Sequence, residues 1–441
     1  MKQFKKSLTA GRIIILGFSA LILFGTLILM LPISSRQREF TPFLDALFTS
    51  TSATCVTGLI IYDTATHWSL FGQIIILALI QIGGMGVVTL AVAISAIAGK
   101  KIGLMQRSTM QESISAPQVG GMVKLTKYIL RVIFFTEAAG AILMAPVFCK
   151  TFGILKGIWY AVFHSITAFC NAGFDLMGAK EQFSSLTFYS SNIIINVVIM
   201  LLIILGGVGF LTWHDIKTNG IHFKRYKMQT KVILVTSAVL ILFPAIFFFF
   251  IEFSDLPIKD RILASLFQSV TTRTAGFNTA DLTSISQSGM VIMSFLMVIG
   301  GSPGSTAGGL KTTTLAVLIV SAISVFRKKA SPEIYGRRID DSIVKKASAL
   351  LMLFLTLLLG GTIFISTYEG ITFTDSLFEV ASAIGTVGLT VGITPDLSIP
   401  SHIMLIIMMF SGRVGGLTLF FAAISNKKTN VKLPLGDITV G

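Results

Sequence analysis

Four short segments of this chain end alike, and their recurrence leaves few folds open. They are Thr54-Cys55-Val56-Thr57-Gly58-Leu59, Phe169-Cys170-Asn171-Ala172-Gly173-Phe174, Thr272-Arg273-Thr274-Ala275-Gly276-Phe277 and Ile384-Gly385-Thr386-Val387-Gly388-Leu389. Each follows a short apolar run and precedes a long one. Their glycines lie 115, 103 and 112 residues apart. A Leu-Phe or Val-Phe pair stands ahead of each glycine, ending at Phe48, Phe163, Phe267 and Phe378; the third interval is nine residues and the others ten. A second glycine cluster follows in each later apolar run: Gly83-Gly84-Met85-Gly86, Gly206-Gly207-Val208-Gly209, Gly300-Gly301-Ser302-Pro303-Gly304 and Gly412-Arg413-Val414-Gly415. Self-similarity at this period marks an internal repeat. Small residues in such clusters let helices pack closely.

The medium is set by charge. Hydrophobic residues make up 53% of the 441 and charged residues only 12%, against about 25% in soluble domains. So few charges cannot cover a globular surface, so the chain is read as membrane-embedded. The apolar run 11–30 lacks a small-x-small cleavage site and reads as a first transmembrane helix rather than a signal peptide. Three cysteines, Cys55, Cys149 and Cys170, have no metal-ligand spacing, and the odd number argues against a disulfide framework. The net charge of +15 reads as basic loops that fix topology, not as a nucleic-acid surface. With a cytoplasmic N-terminus, 24 of the 35 basic residues fall inside and 7 outside. Arg131, Arg273, Lys311 and Arg413 sit at or inside apolar segments. Twelve carboxylates, among them Asp45, Asp63, Asp175, Glu252 and Glu369, fall on the outer side, where they would concentrate cations or serve as ordinary solvated loop residues.

The fold expected is an all-α membrane protein: four pseudo-repeats of helix, pore loop and helix around one central pore, with eight transmembrane helices. The repeats are placed at 1–107, 108–227, 228–338 and 339–441. First helices are expected near 10–31, 125–148, 232–251 and 347–365, and short helices near 45–53, 157–168, 261–270 and 374–383. Second helices are expected near 71–98, 192–213, 290–326 and 403–423, the third of them interrupted. The short runs of about ten residues cannot cross a bilayer of ~30 Å. Non-helical backbone at membrane depth survives only inside protein or against water. Each short run is therefore expected to descend as a half-helix and return extended. Four carbonyl ends would then face one centre, where their dipoles favour a cation.

A dehydrated cation needs replacement oxygens, and rings of backbone carbonyls supply them. Pointing successive carbonyls at one axis requires dihedrals that a Cβ forbids, and glycine adopts these freely. The candidate ion-binding residues are Cys55, Val56, Thr57 and Gly58; Cys170, Asn171, Ala172 and Gly173; Arg273, Thr274, Ala275 and Gly276; and Gly385, Thr386, Val387 and Gly388. The neighbours of the glycines differ between repeats, as expected if backbone coordinates and side chains point away.

On these four segments the chain resembles the Trk/Ktr/HKT superfamily of potassium transporters, and closely the KtrB-type membrane subunit of a bacterial Ktr system. The resemblance covers essentially the whole chain. It implies K⁺ uptake across the cell membrane through a selectivity filter of backbone carbonyls, with Na⁺ as a possible activator and no organic cofactor. It implies a multi-pass protein in the lipid bilayer of a bacterial cell membrane, both termini cytoplasmic, assembled as a homodimer with one pore per subunit. It also implies a cytosolic ring of RCK-type nucleotide-binding subunits, since this chain has no dinucleotide-binding fingerprint of its own. The basic segments 217–231 and 327–346 are candidate docking sites for that ring. No nucleic-acid partner is implied. One glycine per hairpin, where ordinary K⁺ channels carry Gly-Tyr-Gly, implies fewer ion sites and looser K⁺/Na⁺ discrimination. The shorter third interval implies a slightly displaced half-helix.

Two further features fit the same resemblance. The stretch Gly300, Gly301, Ser302, Pro303, Gly304, Ser305, Thr306, Ala307, Gly308, Gly309, Leu310 and Lys311 cannot hold a helix. It approaches a phosphate-binding loop, but Leu310 separates Gly309 from the lysine and no nucleotide fold surrounds it. A broken helix at mid-membrane reads better as a mobile plug, and the family's intramembrane gating loop has this position; a passive kink is the simpler alternative. Arg413 lies inside an apolar helix, where arginine faces a cavity or a partner. By resemblance it faces the pore and joins the gate, and it can equally hydrogen-bond loop carbonyls; Lys311 is assigned a similar part. Glu137 receives no role. Two other function classes fit the sequence less well. A cation-coupled solute symporter with discontinuous helices is disfavoured by the scarcity of buried carboxylates for a proton relay. A membrane enzyme is disfavoured because the apolar segments contain no paired carboxylates, metal cluster or nucleophile–base pair.

Overall fold

A computed structural model describes residues 9–97, 103–113 and 121–416. Lys2, Lys5, Lys6, Lys100, Lys101, Lys427, Lys428 and Lys432, counted above toward the inner side, lie outside these residues. So do Ala98 and 417–423, the expected ends of two helices.

The chain is built of helices: α1 (Ala10–Leu29), α2 (Phe43–Cys55), α3 (Leu70–Met85), α4 (Val87–Ile97), α5 (Leu104–Ser113), α6 (Met122–Phe152), α7 (Ile154–Phe169), α8 (Ile193–Val208), α9 (Phe210–Asn219), α10 (Met228–Phe247), α11 (Ile258–Thr271), α12 (Gln287–Val298), α13 (Thr312–Phe326), α14 (Asp341–Glu369), α15 (Phe373–Gly385) and α16 (Ile399–Val414). The long helices α1, α6, α10 and α14 begin the units. Each is long and apolar enough to cross a membrane, α10 through its continuation to Glu252. They turn Phe24, Phe134, Ile142, Phe243 and Ile363 outward, each more than half exposed. In water such a surface would aggregate; against lipid tails it costs nothing.

The half-helices α2, α7, α11 and α15 lie within this wall. Phe48, Phe163, Phe267 and Phe378 are at most 1% exposed, so the aromatic of each Leu-Phe or Val-Phe pair anchors its half-helix in the core. Local chemistry starts these elements. Asp45 and Asp375 sit in the first turns of α2 and α15, where the helix dipole favours them. Ser69, Asn192 and Ser286 cap α3, α8 and α12, accepting from Gly72, Ile195 and Gly289 amides at 3.2, 3.1 and 3.1 Å.

The second helices are not the continuous spans expected from 71–98, 192–213 and 403–423. Each stops at a single glycine: Gly86 at φ 82, ψ 131, Gly209 at φ 95, ψ 140 and Gly415 at φ 89, ψ 127. No L-residue is comfortable there. Three positions earlier, a Cβ on Gly83, Gly206 or Gly412 would strike the Thr54, Phe169 or Ile384 carbonyl. One glycine of each of these three clusters thus admits the half-helix of its own unit, and another three residues on breaks the helix. The sixteen residues of α3, α8 and α16 reach about 24 Å, short of a ~30 Å core. Among the described residues, α8 with α9, bent by 94°, is the one bent pair that passes as a single span by length and composition.

The third unit is interrupted for longer, between α12 and α13. The boundary drawn at 107 falls inside α5. A two-residue hairpin, Glu333–Ile334 against Arg337–Arg338, turns through Tyr335 and Gly336 in the basic segment after α13; nothing in the sequence reading anticipated it.

Candidate functional site at the four-glycine axis

All four hairpins share one backbone pattern. Each half-helix is followed within one to three residues by a residue in the left-handed region: Val56 at φ 60, Asn171 at φ 59, Thr274 at φ 62 and Thr386 at φ 53. Two residues later comes the glycine: Gly58 at φ 93, Gly173 at φ 67, Gly276 at φ 78 and Gly388 at φ 96. Only Asn171 suits the left-handed region locally. For β-branched Val56, Thr274 and Thr386 the conformation costs on the order of 1–3 kcal/mol and persists because the surroundings impose it.

Those surroundings are visible. The amides of Thr57, Ala172 and Val387 donate to the Ser52, Thr167 and Ser382 carbonyls, each at 2.8 Å and each five residues back. Ala275 donates to Thr271 O at 3.0 Å, only four residues back, which absorbs the missing residue of the third interval. Gly58 and Gly388 amides donate to Ser52 Oγ and Ser382 Oγ at 3.0 Å. In the third unit Thr271 Oγ1 donates to Phe277 O at 2.5 Å. A hydroxyl in the last turn therefore ties the hairpin down in units one, three and four.

The four hairpins meet. A Cβ added to Gly58 would lie 2.5 Å from Ala172 O, and one on Gly173 2.8 Å from Ala275 O. One on Gly276 would strike Val387 O, and one on Gly388 would strike Thr57 O. Each glycine thus abuts the carbonyl preceding the glycine of the next unit, and the fourth closes on the first. The ring is tight, since a Cβ on Gly276 would also be within 3.2 Å of both Gly173 Cα and Gly388 Cα.

Residues 300–311 lie directly against this ring. Their ends are zipped: Gly300 N donates to Leu310 O at 2.8 Å and Leu310 N to Val298 O at 3.0 Å. Ser302 Oγ and Thr312 Oγ1 share a hydrogen bond of 3.1 Å. The loop is pinned to the α8–α9 break, with Ser302 N on Gly207 O, Thr306 N on Gly206 O and Phe210 N on Gly304 O. Pro303 O faces Gly209. Thr306 Oγ1 reaches Phe169 O at 3.1 Å and Asn171 Oδ1 at 3.0 Å. A Cβ on Gly308 would strike Thr386, and one on Gly309 would lie 3.2 Å from Gly385 O. Gly301 packs on Ala307 and Ser305. Hence the loop touches the second and fourth hairpins at once.

Arg413 reaches the loop from α16. Its Nη1 donates to Thr306 O and its Nη2 to Gly83 O and Gly84 O, the last at 3.1 Å. One guanidinium joins the fourth unit, the third unit's loop and the C-terminal carbonyls of α3, where the helix dipole is negative. Lys311 Nζ folds back on Ala307 O at 2.8 Å and Gly308 O at 3.2 Å. A cavity of about 200 Å³ adjoins them, lined in part by Gly84, Gly304, Glu112, Lys311 and Arg413.

Residues 5–432 match the family described as TrkH, cation transport protein. The chain belongs to this family of cation transport proteins. It is 40% identical to the potassium/sodium uptake protein NtpJ of Enterococcus hirae, across 100% of this chain and 99% of that one. It is 37% identical to the Ktr system potassium uptake protein B of Bacillus subtilis, across 98% and 97%. Its fold resembles the crystal structure of the potassium transporter TrkH from Vibrio parahaemolyticus, with a TM-score of 0.74 over 95% of this chain and 86% of that one, at 19% identity. The chain is thus a multi-pass membrane transporter and not an enzyme.

The other residues of this transporter's candidate site fall behind the ring. Cys55 and Cys170 are buried, and Cys170 Sγ packs against Gly84. The Arg273 side chain is buried away from the glycines and reaches Gly300 O at 3.5 Å. Glu137 Oε2 accepts from Gln81 Nε2 at 3.4 Å and makes no ion pair among the described residues. Several of the carboxylates expected on the outer side have structural occupations. Asp63 accepts from the Ala65, Thr66 and Phe183 amides, Glu252 caps α12 through Ser286, and Glu369 holds Ser398 and Ser401. Asp45 takes the Tyr62 hydroxyl at 2.7 Å, and burial followed by that bond pushes the Tyr62 phenol up to about 12. The sequence reading missed the left-handed residue two positions before each glycine and the hydroxyl that ties the turn in three of the four units. The Ser and Thr recurring five or six positions before the glycines were the available signal.

Proposed function

We propose that this chain takes up K⁺ through the four-glycine axis, with the carbonyls of Thr57, Ala172, Ala275 and Val387 standing in for the ion's water. The observation that carries the reading is the closed contact of each glycine with the next unit's carbonyl. A ring of oxygens at fixed positions suits a dehydrated cation, and four converging half-helix C-termini add negative dipole. Both relatives named above are potassium uptake proteins, one of them also for sodium. Na⁺ is accordingly proposed as a second ion, as activator or competitor.

In this reading residues 300–311 are the gate. The loop, wedged against the second and fourth hairpins, obstructs passage, and Arg413 latches it while placing a positive charge on the cation's route. Withdrawal of the loop opens the path. The chain works as a homodimer with both termini in the cytoplasm, and the basic segments 217–231 and 327–346 receive a cytosolic ring of nucleotide-binding subunits.

The test is flux in liposomes. Gly58, Gly173, Gly276 and Gly388 are each replaced by alanine, and K⁺ and Na⁺ uptake are measured with and without an imposed Na⁺ gradient. The reading expects a changed K⁺/Na⁺ ratio in each variant that inserts. Ratios equal to wild type in all four would refute it.

A further inference from the structure

One position in the half-helices carries a buried polar side chain in every unit. It is Thr49, His164 and Glu379, nine residues ahead of their glycines, and Gln268, eight ahead in the shortened third unit. All four are at most 1% exposed. Their partners differ. Thr49 Oγ1 bonds within its own helix, to Asp45 O at 2.9 Å, and Gln268 Nε2 turns to Met293 Sδ at 3.7 Å. His164 and Glu379 instead reach across to the chain that returns from the ring. His164 Nε2 accepts from the Leu176 amide at 3.3 Å. Glu379 Oε2 accepts from Thr390 Oγ1 at 2.8 Å, and its Oε1 accepts from Thr394 Oγ1. In ring order these are the second and fourth units, facing each other across the axis.

We propose that Glu379 is a positioning residue for ion discrimination. It clamps the return segment of the fourth hairpin, and through it the direction of the Val387 carbonyl. The proposal rests on the reading of the glycine ring as the ion path. Glu379 makes no ion pair among the described residues, so a buried carboxylate is held here by hydroxyls alone. Such a group is costly unless its hydrogen bonds are complete, and both of its oxygens are engaged. Its partners begin two residues past Gly388. The far partner is fixed from behind, because Thr394 O is bonded to His402 Nε2 of α16 at 2.8 Å, and the His402 ring meets Phe48 of the first half-helix edge-on at 5.2 Å. The hairpin is therefore tied at both ends: Ser382 holds the Val387 and Gly388 amides, and Glu379 holds Thr390 and Thr394. With the second tie gone, Ser382 alone restrains the Val387–Gly388 peptide, and Val387 O, which abuts Gly276 of the third unit, swings more widely. A swinging oxygen accommodates Na⁺ as readily as K⁺.

The experiment compares wild type, Glu379→Ala, Glu379→Gln, Thr390→Val with Thr394→Val in one chain, and Gly388→Ala, all purified and reconstituted. The readout is the ratio of K⁺ to Na⁺ flux, which a merely structural residue would leave alone in protein that inserts normally. Glu379→Ala is expected to lower the ratio by about tenfold, the equivalent of one lost charged hydrogen bond. Glu379→Gln should stay close to wild type, because an amide can accept from one threonine and donate to the other. The double threonine variant should reproduce the alanine loss, and it carries the test if Glu379→Ala does not insert. An unchanged ratio in Glu379→Ala or in the double variant overturns the proposal. If Gly388→Ala still shifts the ratio in that case, the positioning role alone falls; if it does not, the filter reading falls with it.

Discussion

Thr306→Val isolates the link between loop and ring. Valine keeps the shape and β-branching of threonine. The backbone of residue 306 also keeps its bonds, the amide to Gly206 O and the carbonyl to Arg413. What is lost is one hydroxyl proton shared between Phe169 O at 3.1 Å and Asn171 Oδ1 at 3.0 Å. Both acceptors lie in the buried end of the second hairpin. With the loop seated, Asn171 Oδ1 then has no donor, at a penalty of ~1–3 kcal/mol. With the loop withdrawn, water replaces the hydroxyl and the penalty vanishes. The substitution therefore acts on the seated state, and the open-to-seated ratio should rise about 5- to 150-fold. The assay is basal K⁺ flux into liposomes without any regulatory subunit, normalised to inserted protein. Flux equal to wild type would refute the reasoning: either the loop does not obstruct the path, or this contact does not hold it.

Two other substitutions follow from the same geometry. Arg413→Gln removes the guanidinium bonds to Thr306 O, Gly83 O and Gly84 O and should raise basal flux. Combined with Thr306→Val it should add less than the two effects separately, since both loosen one residue of the loop; full additivity would show that they act independently. Gly209→Ala puts a Cβ 2.7 Å from Pro303 O at a positive φ. It should destabilise the protein by at least ~1–2 kcal/mol, read as a lower melting temperature in detergent. Gly360→Ala, inside α14 with open space around it, is the control and should not lower it.

The layout of units was legible because it is written in spacing. The matched glycines, the phenylalanines ahead of them and the length of the apolar runs are all features that bilayer thickness and backbone sterics force into sequence. The breaks at Gly86, Gly209 and Gly415 were half-legible. Their clusters are plain in the sequence, but packing and chain-breaking glycines look identical until it is known which of them faces the half-helix. The left-handed turns at Val56, Thr274 and Thr386 were not legible. Local preference runs against them, and they exist only because tertiary contacts outweigh it. The three acceptors of Arg413 were equally out of reach, since Gly83 and Gly84 lie more than three hundred residues away in the chain and carbonyls leave no mark on composition. Glu379 lay within reach but unnoticed: a carboxylate nine residues ahead of Gly388, directly after the anchoring Phe378, is a visible anomaly.

The central claim is that oxygens from four units face one ion. Crystals grown in Rb⁺ and measured at its absorption edge address this directly. The account predicts an anomalous peak on the axis, at comparable distances from the carbonyl oxygens of Thr57, Ala172, Ala275 and Val387. A structure of the same fold with ions bound elsewhere and none among these oxygens would contradict it.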